Sequence, residues 1–277
     1  MTSRLGYTLI ELLITMFVAA VIGTLLARML VNDSRFVSKL EAGTEARQVA
    51  RAALTTISIE AQMVDTVTEA TETRIGFVVP FAWGVACGRD GGTTIGSIIP
   101  SDSMMMATAT ANRVYWLDAN GDYQPAAAAV APSTNFGACE DVDAIVPGIF
   151  EDSVRVLADS QLVAITMPDL MRPGSVFYLG ELVRYEFRAS TLLPGRWGLW
   201  REDGTGTWEE LLAPFDTTSG FSYFIGISDT VNTNPPTNLS TVAGVELRLV
   251  GESQAIAEGA SEPEEFVLDT RITFLNR

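Results

Sequence analysis

The chain is 277 residues long, 47% hydrophobic, and carries 34 acidic against 18 basic side chains for a formal charge of −16. Lys39 is the lone lysine and the arginines are scattered among acids; phosphate backbones demand clustered cations, so nucleic acid is excluded as an expected partner. The absence of histidine removes the usual general base, the Ser-His-Asp arrangement and the commonest zinc ligand together, so no enzyme is expected.

Residues 1–27, MTSRLG followed by YTLIELLITMFVAAVIGTLLA, set a six-residue leader against one apolar run. As a helix, residues 7–27 reach about 31 Å, the thickness of the hydrocarbon layer of a bilayer. One carboxylate, Glu11, interrupts the run near its start. An ionised side chain at mid-bilayer costs at least about 2.5 kcal/mol, so Glu11 requires a reason. The dipole of its own helix favours an acid in the first turn; a plain anchor, in which Glu11 reaches back to the headgroups, is the simplest alternative.

Arg4, then Gly6, Tyr7 and Thr8-Leu9-Ile10-Glu11, resemble the class III signal of type IV prepilins and type II secretion pseudopilins. The resemblance implies cleavage between Gly6 and Tyr7 by a prepilin peptidase, N-methylation of Tyr7, and retention of the helix. Glycine suits the cleavage site because it presents no Cβ to a protease closing on the backbone. Glu11 would neutralise the freed amine of a neighbouring subunit, a pairing strengthened by low dielectric. The implied location is the bacterial inner membrane, single-pass with the head in the periplasm, and then the tip of a pilus or pseudopilus. Arg28, Arg35 and Lys39 outnumber Arg4 across the span, so the orientation rests on the motif rather than on the positive-inside rule.

Residues 28–64 lack proline and keep apolar positions Phe36, Leu40, Val49, Ala53, Ile57, Ala61 and Val64 near helical spacing, which predicts an amphipathic continuation of the stem. Many major pilins carry a proline about twenty residues into this helix. The first proline here is Pro80, which fits a minor subunit better.

Residues 65–277 read as a β-rich head. Short alternating runs separated by Gly, Pro and Asn predict strands at 74–79, 113–117, 154–157, 162–166, 183–188, 197–201, 221–225, 245–250 and 267–274. Between 84 and 148 the sequence is loop-like and reads as an insertion. It contains Cys87 and Cys139, which in an exported head would most simply form one disulfide at the insertion's base; two separate buried thiols are the alternative.

Asp118, Asn120 and Asp122 place oxygen ligands at alternate positions, the arrangement calcium uses. Tyr123 and Ala129 occupy the places where an EF-hand loop needs its glycine and bidentate glutamate. A β-hairpin closed on Asn120-Gly121 explains the segment more economically. No other cofactor is expected. Met104, Met105 and Met106 form either an adaptable contact patch or a local cluster, and Trp197, Trp200 and Trp208 form either a ligand surface or the inside of a hairpin.

The runs VRYEFR, GLWRED, EELLAPFDTTSGFSYFI, VAGVELRLVG and the closing FVLDTRITFLNR are similar to the succession found in PilW-type minor pilins and J-type minor pseudopilins. The expected fold is α+β and pilin-like: a long N-terminal helix packed on a mainly antiparallel head with a disulfide-stapled insertion. The expected function is that of a structural subunit that primes and caps assembly, with other minor and major pilins or pseudopilins as partners. An adhesin-like module using the insertion, and a membrane-anchored periplasmic scaffold, are the competing readings.

Overall fold

The structure is a computed structural model that describes residues 9–99, 101–107, 109–117, 121, 123–139, 162–167, 171–226, 231–232 and 235–275. The expected leader and cleavage positions Gly6 and Tyr7, the calcium candidates Asp118, Asn120 and Asp122, and the strand expected at 154–157 lie outside the described residues.

Helix α1 spans Leu9–Gln62, 54 residues without a break, or about 80 Å at ~1.5 Å per residue. Its hydroxyl side chains turn back on the helix: Thr15 donates to the Leu12 carbonyl at 2.9 Å and Thr24 to the Val21 carbonyl at 2.8 Å. This hides polar groups inside an apolar run. At the far end, Met63 and Val64 donate to Glu60 and Ala61 in a tighter turn, and the Asp65 amide then pairs with the Val78 carbonyl. The helix thus ends by feeding directly into the sheet.

The described strands are β1 Thr66–Ala70, β2 Arg74–Asp90, β3 Thr93–Ile98, β4 Arg113–Leu117, β5 Tyr123–Ala127, β6 Ala129–Pro132, β7 Leu162–Thr166, β8 Val176–Ala189, β9 Trp197–Glu202, β10 Trp208–Phe215, β11 Gly220–Ile225, β12 Val231–Asn232, β13 Val242–Glu252 and β14 Glu265–Thr273. All fourteen join one sheet, ordered β12-β11-β13-β10-β9-β8-β2-β3-β7-β6, with β1 added to β2, β14 to β13, and β4 bridging β8 and β5. Every described pairing is antiparallel. The β2–β8 ladder runs from Arg74↔Glu186 to Val85↔Val176 with one irregularity between Pro80 and Ala82. A bulge there accommodates a proline that cannot donate to a ladder.

The main core lies between the second half of α1 and one face of the sheet. Ala50, Ala53, Ile57 and Ala61 pack there with Ile75, Phe77, Tyr185, Phe187, Phe215, Leu247 and Ile272. The stem buries an alanine stripe, Ala42, Ala46, Ala50, Ala53 and Ala61 with Ile57. Small residues let the helix axis approach the strands, and the approach is closest at Gly251 on β13: a Cβ there would overlap the Ala46 carbonyl oxygen and lie 3.2 Å from the Ala50 amide nitrogen. Phe36 and Leu40, expected on the packed face, are instead exposed. The expectation weighted large apolar side chains, whereas the packing selects small ones.

A second core forms on the distal strands around Ala82, Ala86, Ile98, Val114, Ile165, Phe177 and Leu179. Here the sequence expectation of a loop-like segment over 84–148 is corrected, because β2 continues to Asp90 and β3, β4, β5 and β6 follow. The glycines that resemble loop markers are packing sites. A Cβ at Gly84 or Gly96 would strike the Phe177 ring, so both make room for it. Cys87 and Cys139 form a disulfide across a separation of 52 residues and sit with Ile95 and Leu162 in a small buried cluster. Closing a loop of that length contributes about 4 kcal/mol in the chain-entropy account. Replacing both cysteines by serine is expected to lower the urea midpoint of the head accordingly, while an unchanged midpoint would show that the bridge contributes nothing.

Candidate functional site

The first feature to explain is the unpacked part of α1. From Leu9 to Val31 its large apolar side chains are exposed, Leu9 at 81% and Leu30 at 70%. This helix is long and apolar enough to cross a membrane. Glu11 lies in its first turn, within the apolar run.

The head takes hold of the stem just after that run. Ser34 donates to Glu258 at 2.7 Å, the Glu258 amide donates to Ser38 at 3.0 Å, Lys39 pairs with Glu264 at 3.4 Å, and Arg47 lies over the Phe266 ring at 5.5 Å. All these partners come from the segment between β13 and β14 or from β14 itself. Near its other end the helix is tied to the sheet by Glu60, which accepts from the Tyr185 hydroxyl at 2.7 Å and from Arg201 at 3.0 Å. Burial, and then the neighbouring Glu60 carboxylate, push the Tyr185 phenol pKa up, so this hydroxyl stays a donor. Burial alone would lower the Arg201 pKa, but Glu60 and Glu181 raise it, so the guanidinium remains charged. The two grips hold residues 34–62 to the head and leave the apolar run projecting.

The opposite face of the sheet carries two different surfaces. On one half, Arg184 pairs with Glu202 at 2.6 Å, Arg74 with Glu186 at 2.7 Å, and Arg188 with Glu186 at 3.2 Å. The Arg188 guanidinium lies 4.0 Å from the Trp200 ring centre and 4.9 Å from that of Trp208. Arg184 and Arg188, which share this face of β8, are therefore occupied by acids and indoles. Trp208 and Trp200 belong to the β9–β10 hairpin and stack beneath arginines.

On the other half, cross-strand register builds an aromatic row. Trp83 on β2 pairs with Tyr178 on β8, Tyr178 with Tyr115 on β4, and Tyr115 with Pro125 on β5. Tyr115 and Tyr178 stack with centroids 4.7 Å apart and planes 8° from parallel, Trp83 lies 4.8 Å from Tyr178, and Tyr123 lies 5.4 Å from it. The row forms part of the lining of a cleft of about 780 Å³ whose other walls include Met63, Asp65, Thr66 and Pro80. Burial, then a hydrogen bond to Asp65, raise the Tyr178 phenol pKa and keep it protonated. No single stretch of sequence announces this cleft, because its residues are spread over five strands and the turn after α1; strand alternation through Trp83, Tyr115 and Tyr178 is the signal that could have found them.

Remaining candidates are placed as follows. β4 and β5 form the expected hairpin, closing at Leu117↔Tyr123, with Gly121 at φ +88°, a left-handed backbone that favours glycine. Met104 is strongly exposed on the 3₁₀ turn Ser103–Ala107, whereas Met106 packs against the second core. Carboxylate oxygens of Asp216, Glu252 and Glu265 lie within 4.8 Å of one another. Arg196 reaches Glu252 at 2.6 Å; burial sets the Glu252 pKa above its usual value while the Arg196 ion pair opposes that rise, so the group reads as an ion-pair cluster. Comparisons with protein-family models, with curated proteins and with solved structures find no match.

Proposed function

We propose that the protein is a minor pilin or minor pseudopilin, a non-catalytic structural subunit that primes and caps assembly of a type IV pilus or a type II secretion pseudopilus. The observation that carries this reading is the division of α1. Residues 34–62 are fastened to the head, while the apolar residues 9–31 find no packing partner on it. Leaving that much apolar surface in water is untenable at about 25 cal/mol per Å², so the segment requires an apolar environment, first a bilayer and then the stems of neighbouring subunits. A plain anchor would be served by leucines throughout. Glu11 in the first turn is what an assembling stem adds, since its carboxylate can meet the freed amine of Tyr7 in an adjacent chain.

In this scheme the chain waits in the inner membrane after cleavage behind Gly6. As neighbouring stems gather, the paired charges set their axial register, because any other stagger strands a charge in low dielectric. The head then stands at one end of a rigid helix whose shared ladder of contacts transmits the position of the stem to the surface.

Mass spectrometry of the N-terminal peptide of membrane-extracted protein tests the proposal. A peptide beginning at methylated Tyr7 is expected, and its formation should be blocked when Gly6 carries a large side chain. Recovery of an intact peptide beginning at Met1 would overturn processing and leave a simple anchored scaffold.

A further inference from the structure

The aromatic cleft has a chemical character that neither the stem nor the ion-pair network shares. Trp83 and Tyr123 remain 39% and 45% exposed although large rings on a sheet face normally find cover, and their planes stand 79° apart, giving a floor and a wall. Asp65 and Thr66 line the same space with a carboxylate and a hydroxyl, joined to each other at 2.7 Å. We propose that this cleft binds a neutral oligosaccharide, one pyranose ring lying on the exposed face of Trp83 or Tyr123 with its hydroxyls directed to Asp65 and Thr66.

Four observations carry the assignment. A pyranose ring presents axial C–H groups on one face and hydroxyls at its edge, and the electron-rich face of an indole or phenol attracts such polarised hydrogens. The cleft's size, about 780 Å³, lies in the range of sites that enclose small ligands, and its mixture of aromatic walls with a few polar groups is the usual make-up of such sites. The chain's charge of −16 and the Asp65 carboxylate disfavour sialylated, sulfated or uronic chains, which selects neutral glycans. Proline-rich peptides would need a slot between parallel rings, and Tyr115 and Tyr178 close that slot by stacking on each other.

Position favours an external ligand. The cleft adjoins Met63, just past the end of α1, roughly 45 Å along the helix from the end of the apolar run. It opens on the face of β2 and β8 away from the stem: Phe77 and Tyr185 pack in the core with α1, while Val78, Tyr115, Tyr178 and Leu182 form a separate cluster. The assignment therefore does not depend on stem packing, and holds or fails independently of filament assembly.

The test uses the full chain in micelles of a zwitterionic detergent without a sugar headgroup, applied to an array of neutral glycans that includes chitotetraose, cellotetraose and maltotetraose, with sialyllactose and a decaproline peptide as comparisons. The expected result is retention on at least one neutral glycan, weakened about tenfold or more, the equivalent of 1.4 kcal/mol, by Tyr123→Ala and by Trp83→Ala. Tyr123 is half-exposed, so its variant keeps the wild-type melting curve and separates lost binding from lost folding. Binding by both variants equal to wild type, no neutral glycan bound above the Tyr123→Ala background, or preferential binding of decaproline would overturn the proposal.

Discussion

Replacing Gly251 by valine is expected to lower the melting temperature of the head by about 6–12 °C, the equivalent of roughly 3 kcal/mol in a domain of about 200 residues. The site is where β13 and α1 touch backbone to backbone. A Cβ at Gly251 would overlap the Ala46 carbonyl oxygen, and neither the strand nor the helix has a rotamer with which to yield. The helix must lift, and lifting it opens the core that Ala46, Ala50 and Ala53 share with the sheet. Gly43 provides the control on the same helix: a Cβ added there meets nothing within 4 Å, so Gly43→Ala should leave the head unchanged or stabilise it by up to about 1 kcal/mol through helix propensity. A melting curve followed by circular dichroism distinguishes the two. If Gly251→Val melts with the wild type, the close crossing of helix and sheet does not hold the stem.

The stem was legible because its signals are local. A proline-free run with one apolar segment and periodic small and apolar residues is enough to specify one helix, and 54 continuous residues bear that out. Strands with clean alternation were equally readable: 113–117 and 162–166 match β4 and β7. Reading failed where packing depends on small residues. Gly84 and Gly96 look like turn residues until Phe177, 93 and 81 positions later, is seen to need their space. The buried face of α1 was read rightly at Ala53, Ile57 and Ala61, and at Val64 just past its end, but missed before them, since Ala42, Ala46 and Ala50 carry no hydrophobic weight beside the exposed Phe36 and Leu40. The segment from β10 to β11 was only half legible, because β10 opens on Trp208 beneath the Arg74 and Arg188 guanidiniums and closes on Phe215 in the core.

The disulfide was expected from exported cysteines, and Cys87 and Cys139 are joined. The aromatic cleft was not foreseen. Its members come from β1, β2, β4, β5, β8 and the turn that follows α1, and only register brings Trp83, Tyr178 and Tyr115 into one row.

The second large effect concerns Glu11. Changing it to alanine removes a charge from an apolar helix, which favours insertion by up to about 3 kcal/mol, so membrane retention and the fold of the head should be preserved. In the proposed assembly the expected loss falls between chains: a neighbour's freed amine, left without its carboxylate in a low-dielectric bundle, would cost about 3–5 kcal/mol, more than a hundredfold in association. Glu11→Gln keeps the shape and loses the charge, and should fail in the same way; a purely steric role for Glu11 would spare it.

The most direct test of assembly is therefore recovery of partner pilin or pseudopilin subunits with this chain from detergent-solubilised inner membranes, comparing wild type with Glu11→Ala at matched expression and matched N-terminal processing. The account predicts that the wild type brings its partners with it and that Glu11→Ala comes down alone, although its leader is removed normally. Equal recovery of partners with both chains would contradict it.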